Sequence, residues 1–194
     1  MQDMLMNSDR LFEGMKREGF DAVVATMPEN VTYTSGFWAM SHWIRRGPQA
    51  YVLTPKREAG EPAIITSTGI IDLAVDDDVW VKDVRRYGTF FFDRDGDARL
   101  SDQDVRIQEL ADGPQDQDAV SALVRAIKDR KLERARFGID EIGITPQNWD
   151  KLASALPEAT LVRASDVFRY ARAIKTPEEV ARLRRSAQIA DRSI

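Results

Sequence analysis

Short apolar runs alternate with amphipathic stretches along most of this chain, and that alternation limits the folds open to it. Residues 8–19 read as an amphipathic helix, with Leu11, Phe12 and Met15 on one side and Gly19 as its stop. Asp21-Ala22-Val23-Val24-Ala25-Thr26 reads as a short buried strand. Residues 28–36 read as a short helix or turn, with Pro28 at its first position and Gly36 at its end. Strands at 49–54 and 62–67 flank Pro55-Lys56-Arg57-Glu58-Ala59-Gly60, a loop that suits a hairpin. A helix is expected over 68–75 and a strand over 79–87, with Asp76-Asp77-Asp78 as the turn between them. Residues 118–130 carry a helical stripe of Val120, Leu123, Val124 and Ile127. A strand at 136–140, a helix at 146–156, a last strand at 160–162 and a short helix at 166–173 complete the series. The expected class is α/β, a mixed sheet covered by helices. Residues 88–114 stand apart as an acidic, glycine-punctuated stretch with little periodicity, and they read as a long loop.

Composition narrows the function classes. The 194 residues suffice for one well-buried core, so the reading is a domain over 1–173 and a helix over 174–194. Hydrophobic content of 43% and charged content of 31% are those of an ordinary globular protein. A net charge of −4 argues against a dedicated nucleic-acid surface. Without cysteine, neither a disulfide framework nor a thiolate metal site is possible. No signal peptide and no membrane-length apolar window are visible, and the plain reading is a cytoplasmic protein.

The C-terminal stretch has a strong helix start. Thr176 is placed to cap, Pro177 sits where a lost N–H costs nothing, and Glu179 completes a Thr-x-x-Glu capping box. Val180, Leu183, Ala187, Ala190 and Ile194 then form one apolar stripe. The sequence stops on that stripe without a capping residue, so the expectation is that the natural protein continues.

Few residues offer chemistry. Phe37 to Gly47 holds two tryptophans, the only histidine and two arginines. Rings beside guanidiniums suit a ligand with an anionic end and an apolar or cationic body. The same stretch also reads as a hairpin edge, with aromatics on the core and arginines in water. His42 has no second histidine or cysteine to share a metal with, so it makes no metal site by itself. Asp93-Arg94-Asp95-Gly96-Asp97 is a poor match to a calcium loop, because its glycine falls two places early. Phe90-Phe91-Phe92 cannot all face one side of a strand, so at least one is exposed or covered by a missing domain or a second subunit. No phosphate-binding glycine loop and no Gly-x-Ser-x-Gly elbow occur.

Two segments resemble a known family. Ile174-Lys175-Thr176-Pro177-Glu178-Glu179-Val180, followed by Leu183-Arg184 and Ser186-Ala187, resembles the linker helix of the creatinase, prolidase and aminopeptidase P family. Glu29-Asn30-Val31-Thr32-Tyr33-Thr34-Ser35-Gly36-Phe37 resembles that family's Asn-[Ile/Val]-x-Tyr-x-[Ser/Thr]-Gly-aromatic segment. The resemblance implies a sheet of about six strands with ribonuclease-H-like topology. It also implies that the chain is a non-catalytic N-terminal domain, with 174–194 leading to an absent C-terminal catalytic domain of pita-bread fold.

In metal-dependent members that absent domain holds two Asp, one His and two Glu, so a divalent metal (Mn, Co or Zn) would belong there and none to this fragment. The implied parent is a C–N bond hydrolase acting on a peptide or a small amidino or amide compound, assembled as a homodimer. In creatinase-like dimers the stretch after the Ser-Gly-aromatic motif reaches the neighbour's active site. The positions in that stretch are Trp38, His42, Trp43, Arg45 and Arg46. The resemblance leaves two alternatives open: a peptide- or protein-binding module of a catalytically inactive pita-bread protein, and a free-standing ligand-binding domain.

Overall fold

The structure, a computed structural model, describes residues 5–44, 47–92 and 99–192. Its strands are β1 (Ala22–Ala25), β2 (Tyr51–Pro55), β3 (Ala63–Ser67), β4 (Asp83–Tyr87), β5 (Gln115–Asp116), β6 (Arg136–Ile139) and β7 (Thr160–Arg163). They form one sheet in the order β5-β4-β3-β2-β1-β6-β7. Only β2 runs antiparallel to its neighbours, because the hairpin from β2 to β3 and the long helical return from β1 both reverse the chain. The remaining pairs are parallel and need crossovers, which the helices supply. The stretch β3-β2-β1-β6-β7 carries the ribonuclease-H-like arrangement, and β4 and β5 extend it.

Helices α1 (Ser8–Glu18), α2 (Pro28–Ser35), α3 (Met40–Trp43), α4 (Asp102–Asp112), α5 (Ala119–Asp129), α6 (Pro146–Ala155), α7 (Ser165–Ala173) and α8 (Pro177–Arg192) accompany the sheet. Alternate strand residues face opposite sides. Val24, Leu53, Ile65 and Phe137 pack with Leu123 and Ile127 of α5 and Leu152 of α6. Val23, Val52 and Ile64 pack with Leu11 and Met15 of α1, Val31 of α2 and Phe168 of α7. Each such side chain contributes about 1.5–3 kcal/mol on full burial, and so the sheet with its two cores forms the rigid base of the domain.

Several local expectations are corrected. The stretch 88–114 is not a structureless loop, because α4 occupies its second half and β5 follows it. Ser101 and Asp104 bond each other's backbone amides in a capping box, a Ser-x-x-Asp form of the Thr-x-x-Glu signal seen at Thr176. None of the α4 residues is buried, which explains its weak periodicity. Residues 79–82 do not join the sheet. Val79 and Val81 are buried, but the Trp80 amide bonds the Ser35 carbonyl at 3.1 Å, so a helix end takes the place of a strand partner. Residues 68–75 form 3₁₀ turns kinked at Ile70. The stretch after Phe37 contains α3 and is not a hairpin edge. The aspartate-rich 93–97 segment lies outside the described residues.

The Thr176 box is present in both directions, with Thr176 N–H donating to Glu179 at 2.7 Å and Glu179 N–H to Thr176 Oγ at 3.2 Å. Beyond it α8 has no buried residue, and Leu183 is 58% exposed. Ile194 of the stripe lies outside the described residues. A helix of this length is marginal in water without packing. In this chain the amides from Leu183 onward should therefore exchange with solvent much faster than those of β1 and β2. Equal protection, read by hydrogen exchange, would show the stripe to be satisfied within the domain.

Gly36 ends α2 at φ 78°, and a Cβ there would lie 1.9 Å from the Asp78 carbonyl oxygen. Gly19 ends α1 at φ 69° with nothing within 4 Å. Gly36→Ala should cost about 3 kcal/mol or more, whereas Gly19→Ala should cost about 1 kcal/mol. Urea unfolding of both variants tests this, and equal losses would refute the close contact at Gly36.

Candidate functional site

The parallel strands end along one rim of the sheet, and the residues that leave it carry the candidate chemistry. Asp140 follows β6 and is fully buried. Its Oδ2 accepts from the Met27 amide at 2.8 Å, the Thr26 amide at 3.3 Å and Asn30 Nδ2 at 2.7 Å. The Thr26 hydroxyl donates to the Asp140 carbonyl. A buried carboxylate is costly unless hydrogen-bonded, and here the amides of the two residues just before α2, with the positive end of that helix's dipole, receive it. Glu141, the next residue, does the same for α7. It accepts from the Ala164 amide at 3.1 Å, the Ser165 amide at 3.0 Å and the Ser165 hydroxyl at 2.8 Å. Burial pushes the Glu141 carboxyl up, but these hydrogen bonds prevail and hold it below its usual value.

The Asn30-to-Phe37 segment is scaffold. Asn30, Val31, Tyr33, Thr34, Ser35 and Phe37 are all buried. Thr34 and Ser35 hydroxyls donate to the Asn30 and Val31 carbonyls at 2.8 and 2.7 Å. The Tyr33 hydroxyl accepts from the Asn7 amide at 2.8 Å and donates to the Ala171 carbonyl at 3.4 Å, tying α2 to α1 and α7. Burial raises the pKa of this phenol. The polar residues of this segment, Asn30, Thr32, Tyr33, Thr34 and Ser35, therefore each hold a structural hydrogen bond, and the segment's effect is to fix where the chain emerges at Trp38.

From that point the aromatic segment divides. Trp38 and Trp43 are 52% and 37% exposed, with Met40 and Ile44 exposed beside them. His42 is turned inward at 5% exposure, where its Nδ1 accepts from the Ala50 amide at 3.4 Å. It lines a cavity of about 150 Å³ with Met27, Pro28, Gln49, Ile142 and Gly143. Arg45 and Arg46 lie outside the described residues. The structure thus brings His42 against the α2 N-terminus and leaves the two tryptophans facing outward.

The return of the segment is held by residues that the sequence did not single out. Gln49 Nε2 donates to the Gly143 carbonyl at 3.2 Å, and its Oε1 accepts from Tyr51 Oη at 2.5 Å and from Asn148 at 3.2 Å. The Tyr87 hydroxyl donates to the Gln49 carbonyl. Burial pushes both the Tyr51 and Tyr87 phenols up, so each keeps its donor proton. Apart from Tyr51, these partners of Gln49 lie 38 to 99 residues away, and no local pattern marks them.

Among the described residues no three His, Cys, Asp or Glu side chains are grouped so that they could hold a metal ion. No helix among them is long and apolar enough to cross a membrane.

Comparison with protein families matches residues 8–174 to the Creatinase/Prolidase N-terminal domain. Direct comparison with curated proteins finds no match. Among solved structures, an Xaa-Pro dipeptidase from Bacillus anthracis superposes with TM-score 0.63 at 17% identity, covering 95% of this chain and 40% of its own. The prolidase from Pyrococcus horikoshii OT3 gives TM-score 0.58 at 16% identity, covering 96% and 40%. An X-Pro aminopeptidase from Thermotoga maritima MSB8 gives 0.58 at 16%, covering 93% and 41%. The chain spans about 40% of the length of these neighbours.

Two variants test the rim. Asp140→Ala leaves two backbone amides and Asn30 without their acceptor, and should cost about 3 kcal/mol or more in urea unfolding. A loss below about 1 kcal/mol would refute the capping role. For Glu141 the depressed folded pKa means stability that is present above the unfolded value and lost as pH falls. The stability gap between the wild type and Glu141→Gln should be widest at neutral pH and close as pH drops below 4.5. A gap independent of pH would contradict the assignment.

Proposed function

Because the chain belongs to the Creatinase/Prolidase N-terminal domain family, we propose that it is the non-catalytic N-terminal domain of an Xaa-Pro peptidase-like or creatinase-like C–N hydrolase. The carrying observation is the family match over residues 8–174 in a chain that spans about 40% of two of its solved structural neighbours. Bond cleavage then falls to a C-terminal catalytic domain. A divalent ion (Mn, Co or Zn), where one is used, would then be held by that other domain. The net charge of −4 favours, as partners, a peptide or small-molecule substrate, the protein's own catalytic domain and a second subunit over a nucleic acid.

In this reading the protein works as a homodimer, and Trp38, Trp43, Arg45 and Arg46 are lent to the partner subunit's pocket. The exposure of both tryptophans on a segment anchored at Phe37 and Gln49 supports it. His42 belongs to the same loan as an inward strut that holds the α3 turn against the Ala50 amide. Indole faces offer an apolar and cation-attracting wall, and a guanidinium offers a bidentate partner for a carboxylate.

Kinetics on the full-length protein test the loan. Trp43→Ala and Arg45→Ala should each lower kcat/KM by about tenfold, or ~1.4 kcal/mol, with little loss of stability. Mixing Trp43→Ala subunits with subunits dead in the catalytic domain should restore activity, because each hybrid then contains one complete pocket. No recovery on mixing, with both parents folded, would show that the segment acts within its own subunit or not at all. This chain alone should show no turnover of Xaa-Pro dipeptides or creatine, with or without manganese or cobalt.

A further inference from the structure

The loop after β6 and the first turns of α6 leave a cavity beside Arg163, the last residue of the edge strand β7. Its volume is about 540 Å³, within the range of small-molecule sites. It lies outside the carboxyl ends of two parallel strands, the side of an α/β sheet on which ligands bind. Much of its lining is apolar. Ile144 is buried, and Trp149 is half-buried against the core under α5 and α6. The exposed Ile142 is a wall shared with the smaller cavity beside His42.

Three charged side chains border the cavity, and only one of them is committed. Both oxygens of Glu141 already serve the start of α7. Among the described residues, the Asp150 carboxylate and the Arg163 guanidinium make no hydrogen bond or ion pair, with each other or with any neighbour. The Trp149 indole N–H likewise donates to no described residue. Leu161, two residues before Arg163, packs into the core under α5 and α6, so strand alternation puts Arg163 on the α6 side of the sheet. One lining therefore holds an unpaired anion, an unpaired cation and an indole.

These groups select a ligand by its charges. Two carboxylates and one guanidinium leave the lining net negative, which turns away phosphates and other dianions. A simple anion would answer Arg163 and face Asp150 unpaired, and a simple cation would do the reverse. A zwitterion answers both. We propose that this cavity binds a free α-amino acid with an apolar side chain. Its carboxylate pairs with the Arg163 guanidinium, which suits bidentate contact. Its ammonium pairs with Asp150 beside the Trp149 ring, whose face attracts a cation. Its side chain packs on Ile144 and Pro146, away from water. The assignment uses no part of the hydrolase reading.

The test is isothermal titration calorimetry of this chain with L-leucine at neutral pH. A dissociation constant of about 0.1–1 mM is expected for a ligand this small. Asp150→Asn and Arg163→Gln should each weaken binding by about tenfold or more, with unchanged thermal stability, because neither side chain bonds within the domain. N-acetyl-leucine keeps the carboxylate and lacks the ammonium. It should bind the wild type about tenfold or more weakly than leucine and be indifferent to Asp150→Asn. Leucinamide, which lacks the carboxylate, should be indifferent to Arg163→Gln. Glycine should bind about tenfold or more weakly than leucine, for want of a side chain. No saturable binding of leucine up to about 20 mM would overturn the proposal. So would charge variants that bind leucine as the wild type does, or glycine binding as tightly as leucine. Tighter binding of Leu-Leu than of leucine would make the occupant a peptide and overturn it as well. None of these outcomes involves turnover, so the hybrid-subunit test of the lent tryptophan stands or falls separately.

Discussion

The adjacent carboxylates at the end of β6 are the interaction on which the rest of the structure depends. Asp140 closes the N-terminus of α2, and Glu141 closes that of α7. The two helices lie on the same face of the sheet, in one apolar cluster with α1. A central strand thereby sets where two helices begin, through hydrogen bonds that span 113 and 24 residues of chain. For Asp140 the geometry is strict, because the group is fully buried and its acceptor oxygen serves three donors. Substituting the carboxylate strands those donors, and an unsatisfied buried donor costs more than a hydrogen bond contributes.

From that start the consequences run along α2. Its residues are buried and hydrogen-bonded among themselves, and Gly36 ends it where only a glycine clears the Asp78 carbonyl. Phe37 is then buried, and Trp38 is the first residue out. Seen this way, the family-like segment is conformational machinery for aiming the next ten residues. The polar hub at Gln49 completes the frame by holding the far end to β4, α6 and the loop after β6. The chain is thus anchored by hydrogen bonds on either side of the tryptophans, at Phe37 and at Gln49.

The parts legible in the sequence are those decided by neighbours in sequence. The Gly19 stop, the Pro28 start, the Gly36 end and the Thr176 capping box each rest on a local steric or hydrogen-bond rule, and each is present. The hairpin between β2 and β3 and the stripe on α5 follow from patterning alone. What sequence reasoning missed was decided by distant contacts. Residues 79–82 have strand-like alternation, yet Trp80 is claimed by the end of α2. The α4 helix buries nothing and so leaves no apolar stripe to read. At the site, the exposed aromatic segment was visible, but the roles of Asp140, Glu141 and Gln49 were not, since each acts on residues far away in the chain. His42, one of the candidate positions, is buried and lines the small cavity beside Met27 and Pro28, a placement that its neighbours in sequence did not indicate.

The central claim is that the tryptophan segment springs from a frame as rigid as the sheet itself. Hydrogen exchange at the two posts of that frame tests it most directly. The amides of Met27, Gly36 and Phe37 are bonded to Asp140, Thr32 and Ser35, and that of Ala50 to His42. The account predicts protection of these four comparable to that of Val24 and Val52 in the central strands. Exchange at the rates of an open loop, with the sheet still protected, would contradict it.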